Sequence, residues 1–550
     1  VRKTVTLYSP DRYGLSFSQC GEFEKLLATV KSIPDSRYDW KTHIWSIPIT
    51  KENTDYLLKD HWLFLGDAYD VLHGNIHPVV IPGCPPVVPM ANEAFPSEFR
   101  SYQKVGVRML LGLKGRGLLA DPMGLGKTPQ AILYMKLGQD VFPTLIVCPA
   151  SLKVHWQREL KKWAGLSSYI CSGRTINAPE FGTQVWIINY EILPYWETTL
   201  ADIPWKLVIA DECQRLANKR EVDINGRTTG AQSTSVFIRL AKRVPQFIPI
   251  SGTPLRNCSR ELYVILNLLD PKHFHNEWAY KQRYCGASRT QFGIEFKGAT
   301  HTDELYNILS HYMIRRERSV VLPELPKKQR IIVPLTLDNE KQYTKDEILL
   351  QSAIEARQLK EINDRLVTLQ RTGFAAKQRA LFEWLDSWLE ENPDEKIILV
   401  AYHRASLDAL QLRYKKIAVR IDGQVLSEKR QGLVDRFQED KGIRVMLAQM
   451  TAAGVGFSMT AASTVAFTEL WYVPGDVEQM EDRVNRITQE ADHILAYYLL
   501  GCNTIEEQIM EAVEAKNYYI TGVLDGKGES FFGEGSLFDR IAKKRKYLIF

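Results

Sequence analysis

Between a short apolar run at Gly117–Ala120 and a helical pattern from Pro129 to Leu137 stands Asp121-Pro-Met-Gly-Leu-Gly-Lys-Thr128. A Gly-rich turn that leaves a strand and opens a helix is the setting in which backbone amides cradle phosphate. It commits the surrounding chain to a βα unit built on a buried parallel strand. Gly124 and Gly126 let amides approach the phosphates, Lys127 can neutralise β and γ oxygens, and Thr128 can hold Mg²⁺. The strict pattern has Gly where Asp121 stands, so from the loop alone a Gly-rich helix start that binds nothing remains an alternative.

The strand–helix alternation implied by the loop extends along the chain. Apolar runs at Gly117–Ala120, Thr144–Cys148, Val185–Asn189, Leu207–Ala210 and Phe247–Ile250 alternate with helical stretches, and the pattern returns at Lys396–Ala401, Val419–Ile421, Arg444–Ala448, Ser463–Phe467 and Leu495–Leu499. The expected fold class is therefore α/β, with two tandem lobes. Residues 97–257 and 386–525 are read as the lobes and 258–385, helical and charged in pattern, as an insertion or linker between them. Residues 1–75 alternate in β fashion around a helical pattern at Phe23–Val30 and read as a small α+β module. Residues 76–96 hold Pro78, Pro82, Pro85, Pro86, Pro89 and Pro96 with almost no charge and read as a stiff linker, and 526–550 is a Gly-rich, then basic tail. At 550 residues there is room for several cores.

Composition bounds the function classes. Lys+Arg 70 against Asp+Glu 65 leaves +5, so a polyanion would have to be held by locally clustered cations. The 8 cysteines never fall as Cys-x-x-Cys, which removes support for a disulfide framework or a zinc site and favours a reducing compartment. The uncharged run Val445–Thr468 is long enough to span a bilayer, but nine of its residues are Gly, Ser, Thr or Gln, which argues against insertion. With no stretch ordered as a signal peptide, the expectation is a soluble, intracellular protein without membrane or zinc.

Three further motifs bear on chemistry. The strand ending at Ala210 runs into Asp211-Glu212, two carboxylates where a parallel sheet opens its ligand crevice; Asp211 would orient Mg²⁺ through water and Glu212 would accept a proton. Ser251-Gly252-Thr253-Pro254 follows another strand and offers hydroxyls. In Gln479-Met-Glu-Asp-Arg-Val-Asn-Arg486, Arg483 and Arg486 share a helical face suited to a γ-phosphate held by the other lobe. Alone, each has a plainer alternative: a solvated acidic loop, a turn, or a surface ion-pair helix using Glu481 or Asp482.

Taken in order, these motifs resemble superfamily-two helicases, and DPMGLGKT with ELWYVPGDVEQMEDRVNRITQ resembles the Swi2/Snf2 branch. The resemblance implies two RecA-like lobes with ATP and Mg²⁺ at their interface. It assigns Arg100 and Gln103, in Phe99-Arg-Ser-Tyr-Gln103, to the adenine, Gly456 to the nucleotide, and Gln214, Ser251, Thr253 and Gln479 to coupling. It places Ser151, Lys153, Asn189, Tyr190, Tyr402, His403 and Thr451 on the DNA backbone. YKQRYCGASRTQFGIEFKG, MIRRERSVVLPELPKKQR, TAAGVGF and FTELWYVPG are similar to the annealing-helicase, fork-remodelling branch. Arg37-Tyr-Asp-Trp-Lys-Thr-His-Ile-Trp-Ser46 resembles the core of its HARP domain, with Arg37, Lys41 and His43 as candidate contacts to structured DNA; a β-hairpin whose aromatics are merely core is the alternative.

The chain departs from the family at Pro122, usually Glu, at Cys213-Gln214, where an Asp-Glu-x-His box is usual, and at Asn485 and Thr488, usually His and Gly. None of these removes a group assigned to phosphate or metal, so hydrolysis is expected to survive. The zinc-finger and nuclease additions of some relatives are not expected here. The resulting expectation is a monomeric ATP-dependent translocase on double-stranded or forked DNA. A remodeller that displaces proteins from DNA and a degenerate ATP-binding clamp stay open as alternatives.

Overall fold

The structure is a computed structural model. It describes residues 3–9, 12–17, 23–39, 44–48, 50–59, 63–64, 87–90, 94–174, 182–217, 221–222, 228–229, 232–290, 293–296, 298–356, 358–450, 459–486, 489 and 491–532.

At the N-terminal end, Lys3–Ser9 and Arg12–Phe17 pair antiparallel. Ile44–Pro48 and Arg37–Asp39 extend the sheet on one side and Leu63–Phe64 on the other, with helices Phe23–Ser32 and Lys51–Lys59 between strands. Val5 lies opposite Leu15, and both are buried together with Val30, Ile47 and Leu57. Period-two strands and period-3.6 helices thus turn their apolar faces to one small core.

The first lobe carries a wholly parallel sheet of seven strands in the order Met313–Ile314, Leu118–Leu119, Gln246–Ile250, Leu207–Asp211, Thr144–Cys148, Val185–Asn189, Tyr169–Ile170. Every residue of Thr144–Cys148, Val185–Asn189 and Leu207–Asp211 is buried, because helices cover both faces. The second lobe repeats the plan with six parallel strands, ordered Lys327–Leu335, His493–Gly501, Thr464–Phe467, Ile397–Ala401, Val445–Gln449, Ala418–Ile421. The expected α/β architecture of two tandem lobes behind an α+β module is the one observed.

Two expectations need correcting. The stretch 258–385 is not a separate helical unit. Met313–Ile314 joins the first sheet, Lys327–Leu335 joins the second, and helix Leu359–Glu391 packs its Leu381, Leu385 and Trp388 into the second lobe's core. The end of the Pro-rich stretch, expected as a stiff linker between domains, is instead docked on the first lobe. Val88 N–H donates to the Arg108 carbonyl at 3.3 Å, and Val87 and Met90 pack on the first lobe. Helix Ile505–Asp525 contributes to both cores: Ile505, Ile509, Met510 and Val513 lie in the second, Ile520, Val523 and Leu524 in the first.

Candidate active site

The phosphate loop runs from strand Leu118–Leu119 to helix Lys127–Leu137. Gly124 and Gly126 have φ of +85° and +72°, a region side chains avoid, and a Cβ on Gly126 would run into the Gln103 amide. Gln103 fixes the loop from outside: its Nε2 donates to the Leu125 carbonyl at 3.2 Å, while its Oε1 accepts from Arg100 N–H at 3.0 Å. The Arg100 guanidinium itself pairs with Glu324. Lys127 Nζ donates to the carbonyls of Asp121 and Pro122 at 2.8 and 3.2 Å, and burial pulls its pKa below the ordinary value. Thr128 follows, half-buried at the helix start.

Beside the loop, Leu207–Asp211 delivers both carboxylates. Asp211 is buried; its Oδ2 accepts from Trp156 Nε1 at 2.8 Å, and its Oδ1 from Glu212 N–H at 3.0 Å. Burial, and then the neighbouring Glu212, push the Asp211 carboxyl up to about 7. Glu212, directly after the strand, sits at φ +52°, a strained backbone position, and its Oε2 accepts from Gln214 Nε2 at 2.6 Å. Ser251 Oγ accepts from Thr253 N–H at 3.0 Å. This turn closes on the loop: a Cβ on Gly252 would lie 2.9 Å from Met123 Cγ and 3.3 Å from Lys127 Nζ.

The second lobe supplies the other wall. Helix Pro474–Glu481, which carries the buried Gln479, ends in a turn bearing Arg483 and Arg486. A Cβ on Gly124 would stand 3.6 Å from Arg486 Cδ and 3.9 Å from the Asn485 carbonyl, so this turn covers the phosphate loop. Arg483 is wholly buried; burial, and then Arg486, pull its pKa down to about 9. Burial lowers Arg486 likewise. Three cations crowded and desolvated around a Gly-rich loop form a site suited to a polyanion.

Sequence reasoning missed the groups that hold this site in place. Arg316 and Asp121 form an ion pair with neither side chain exposed, and Arg316 also donates to Gln130 Oε1 at 2.7 Å. The residue that breaks the strict loop pattern is therefore the loop's anchor. The available signal was an acid inside an apolar strand end, since a buried carboxylate requires a partner. Lys328 and Arg330 bind Glu481, and Arg318 binds Asp482. Glu481 and Asp482 are thus buried anchors of the arginine turn rather than the surface ion pairs of the plainer reading.

Several residues expected on DNA stand elsewhere. Tyr190 is buried, its hydroxyl donating to the Asp211 carbonyl at 2.7 Å, and Asn189 is buried with its amide on Glu191 at 2.7 Å. His403 is buried with Nδ1 2.9 Å from Glu469 Oε1, and Glu469 also accepts from Tyr402 N–H at 2.8 Å and Ser406 Oγ at 2.9 Å. These three side chains are buried and hydrogen-bonded at the ends of their strands, whereas the family resemblance assigns them to the DNA backbone. Ser151 is exposed, and Lys153 is half-buried with Nζ on the Cys171 carbonyl at 2.9 Å. The Tyr402 ring stacks on Trp471 at 3.6 Å between centroids. Arg37 is exposed beside Asp35. Thr451, Gly456, Thr488, Lys41 and His43 lie outside the described residues.

Residues 102–379 match the SNF2-related domain. The chain belongs to the SNF2-related family. Residues 377–488 match the helicase conserved C-terminal domain, so in this SNF2-related chain the two matches between them reach into both lobes. It is 32% identical over 76% of its length to the SWI/SNF-related matrix-associated actin-dependent regulator of chromatin subfamily A-like protein 1 homolog of Caenorhabditis elegans, covering 60% of that protein. It is 30% identical over 78% of its length to the mouse DNA annealing helicase and endonuclease ZRANB3, covering 41% of it. The Drosophila melanogaster subfamily A-like protein 1 matches 94% of the chain at 28% identity, with 69% of that protein covered. The chain thus spans between two fifths and two thirds of the length of most of these relatives. A solved SWI2/SNF2 ATPase core from Sulfolobus solfataricus in complex with double-stranded DNA matches 80% of the chain and 96% of its own, at 21% identity and TM-score 0.38.

Proposed function

We propose that this protein is a DNA-dependent ATPase that translocates on double-stranded DNA and remodels or reanneals branched DNA such as replication forks. The observation that carries the reading is the arginine turn of the second lobe lying over the phosphate loop of the first, beside Lys127, Glu212 and the Ser251–Thr253 turn. The ATP phosphates would lie in the amides of Gly124 and Gly126, with Lys127, Arg483 and Arg486 neutralising the charge that develops on transfer. Glu212, held by Gln214, would take the proton from the attacking water.

Thr128 and Asp211 would hold Mg²⁺. The oxygen donors suit a hard cation, and a cation there would favour the charged form of the Asp211 carboxyl, which burial and then Glu212 disfavour. Mg²⁺ held there would supply positive charge against the charge that develops on phosphoryl transfer. Because the site is built from two lobes, opening and closing would be tied to turnover, and a duplex held across both lobes would be moved. The fork-directed part of the reading is supported by the annealing-helicase names among the relatives and by the HARP-like hairpin around Arg37.

Phosphate release measured side by side with forked, duplex and single-stranded DNA tests the reading. Stimulation by forked and duplex DNA, with regression or annealing of forks, is expected. ATP binding without DNA-stimulated release would replace it with the clamp, and displacement of bound proteins without fork remodelling would replace it with the remodeller.

A further inference from the structure

One segment leads from the first sheet's edge strand Met313–Ile314 to the second sheet's edge strand Lys327–Leu335, and three of its arginines grip the phosphate loop on the way. Arg315 donates to the carbonyls of Ala120 and Gly252 at 3.1 and 3.2 Å, and Arg316 holds Asp121. Arg318 Nη2 donates to the Met123 carbonyl. Arg318 differs from the first two in what else it holds. Its guanidinium binds Asp482 through both carboxylate oxygens, at 2.9 and 2.8 Å. Asp482 stands directly before Arg483, and its carbonyl accepts from Arg486 Nε at 3.1 Å. A chain of contacts thus runs from the loop carbonyl through Arg318 and Asp482 to Arg486 and back to the face of Gly124.

We propose that Arg318 is a positioning residue of the hydrolytic site: by binding the Met123 carbonyl and the Asp482 carboxylate with one guanidinium, it sets where Arg483 and Arg486 stand over the phosphate loop. The inference rests on the ATP-hydrolysing reading of that site. A planar fork can satisfy a bidentate carboxylate and a third acceptor at fixed angles, whereas an ammonium is a point charge that cannot reproduce all three. Lys328, 3.6 Å from Asp482, supplies charge there without this geometry. A joint that only stabilised folding would leave catalysis alone; one that sets the arginines fails in the transition state, where a displacement of about 1 Å costs on the order of 10²-fold.

The test compares Arg318→Gln, Arg318→Lys, Asp482→Asn and the Arg318→Gln/Asp482→Asn double variant in the full chain, by DNA-stimulated phosphate release and by hydrogen exchange of residues 479–486 and 123–126 without nucleotide. Arg318→Gln is expected to lower kcat by about 10- to 100-fold with KM for ATP within about threefold. Arg318→Lys should recover part of kcat, and the double variant should be no slower than the slower single, because both changes cut one contact chain. Exchange should quicken in both segments and not in helix Leu359–Glu391. Wild-type kcat in Arg318→Gln, a loss confined to KM, or losses that multiply in the double variant would overturn the assignment. Hydrolysis that is absent in the wild type, or indifferent to Lys127→Ala, would instead sink the hydrolytic reading. The exchange arm still decides whether Arg318 docks the turn, and unchanged protection in the variant refutes it, including where a variant is too unstable to assay.

Discussion

At the scale of single residues, the groups around the loop should fail in different ways. Lys127→Ala should weaken nucleotide binding, Glu212→Gln should hold ATP without turning it over, and Arg486→Ala should lose turnover by about 10³ or more, the range in which arginines act on transferred phosphate. Nucleotide binding and single-turnover hydrolysis measured together separate the three, and wild-type turnover in Arg486→Ala would remove that residue from the site. The buried pair of Asp121 and Arg316 makes a second prediction. Asp121→Ala leaves a buried guanidinium without its carboxylate and should cost about 3–5 kcal/mol, while the Asp121→Asn/Arg316→Met double change, which removes both charges, should cost clearly less. Chemical denaturation of the three proteins checks it. The loop residues were legible because their spacing is local, Lys127 and Thr128 falling at a helix start. The residues that hold them were not, because Arg316 stands 195 positions after Asp121 and nothing in the chain's local pattern says which cation that acid will meet.

At the scale of elements, the helix Pro474–Glu481 is anchored through Glu481. Burial alone would raise this carboxyl, but Arg330 and Lys328 hold it well below the usual carboxylate range, and Tyr498 donates to it at 2.6 Å. A depressed folded-state pKa contributes stability that is fully present above the unfolded carboxylate value and is lost as pH falls through the acid range. The melting temperature of the wild type should therefore exceed that of Glu481→Gln by several degrees near neutrality, and the gap should close as pH falls below about 4; a gap independent of pH would contradict the ion-pair account. Strands such as Thr144–Cys148 and Ile397–Ala401 were readable because burial on both faces writes an unbroken apolar run. Lys327–Leu335 was not, since an edge strand that starts Lys-Lys-Gln-Arg spends its first turns on ion pairs with Glu481, and Met313–Ile314 is too short to carry a period.

At the scale of the molecule, the N-terminal module and the motor should separate, but the cut must respect the docked end of the linker. Removal of the chain before Pro86 keeps Val87–Met90 on helix Ser101–Gly112 and should preserve DNA-stimulated ATPase on long duplex, while weakening fork preference and fork regression. A cut at Asn92 would also strip these contacts and confuse loss of recognition with loss of stability. Equal fork regression by the truncated and full proteins at matched ATPase rates would remove the module from DNA-structure recognition.

Helix Ile505–Asp525 has one end sunk in each lobe, and Asp525 binds Arg315 of the first lobe at 2.6 Å. Among the described residues it makes a second attachment across the same cleft beside the segment between Ile314 and Lys327, to which Asp525 is pinned through Arg315 and alongside which Ile520, Val523 and Leu524 enter the first core. Two bodies joined at one point can swivel in any direction, but two attachments leave rotation about the line through both as the easy motion. The lobe closure proposed above would accordingly repeat along one path rather than open loosely, because of where this helix is rooted.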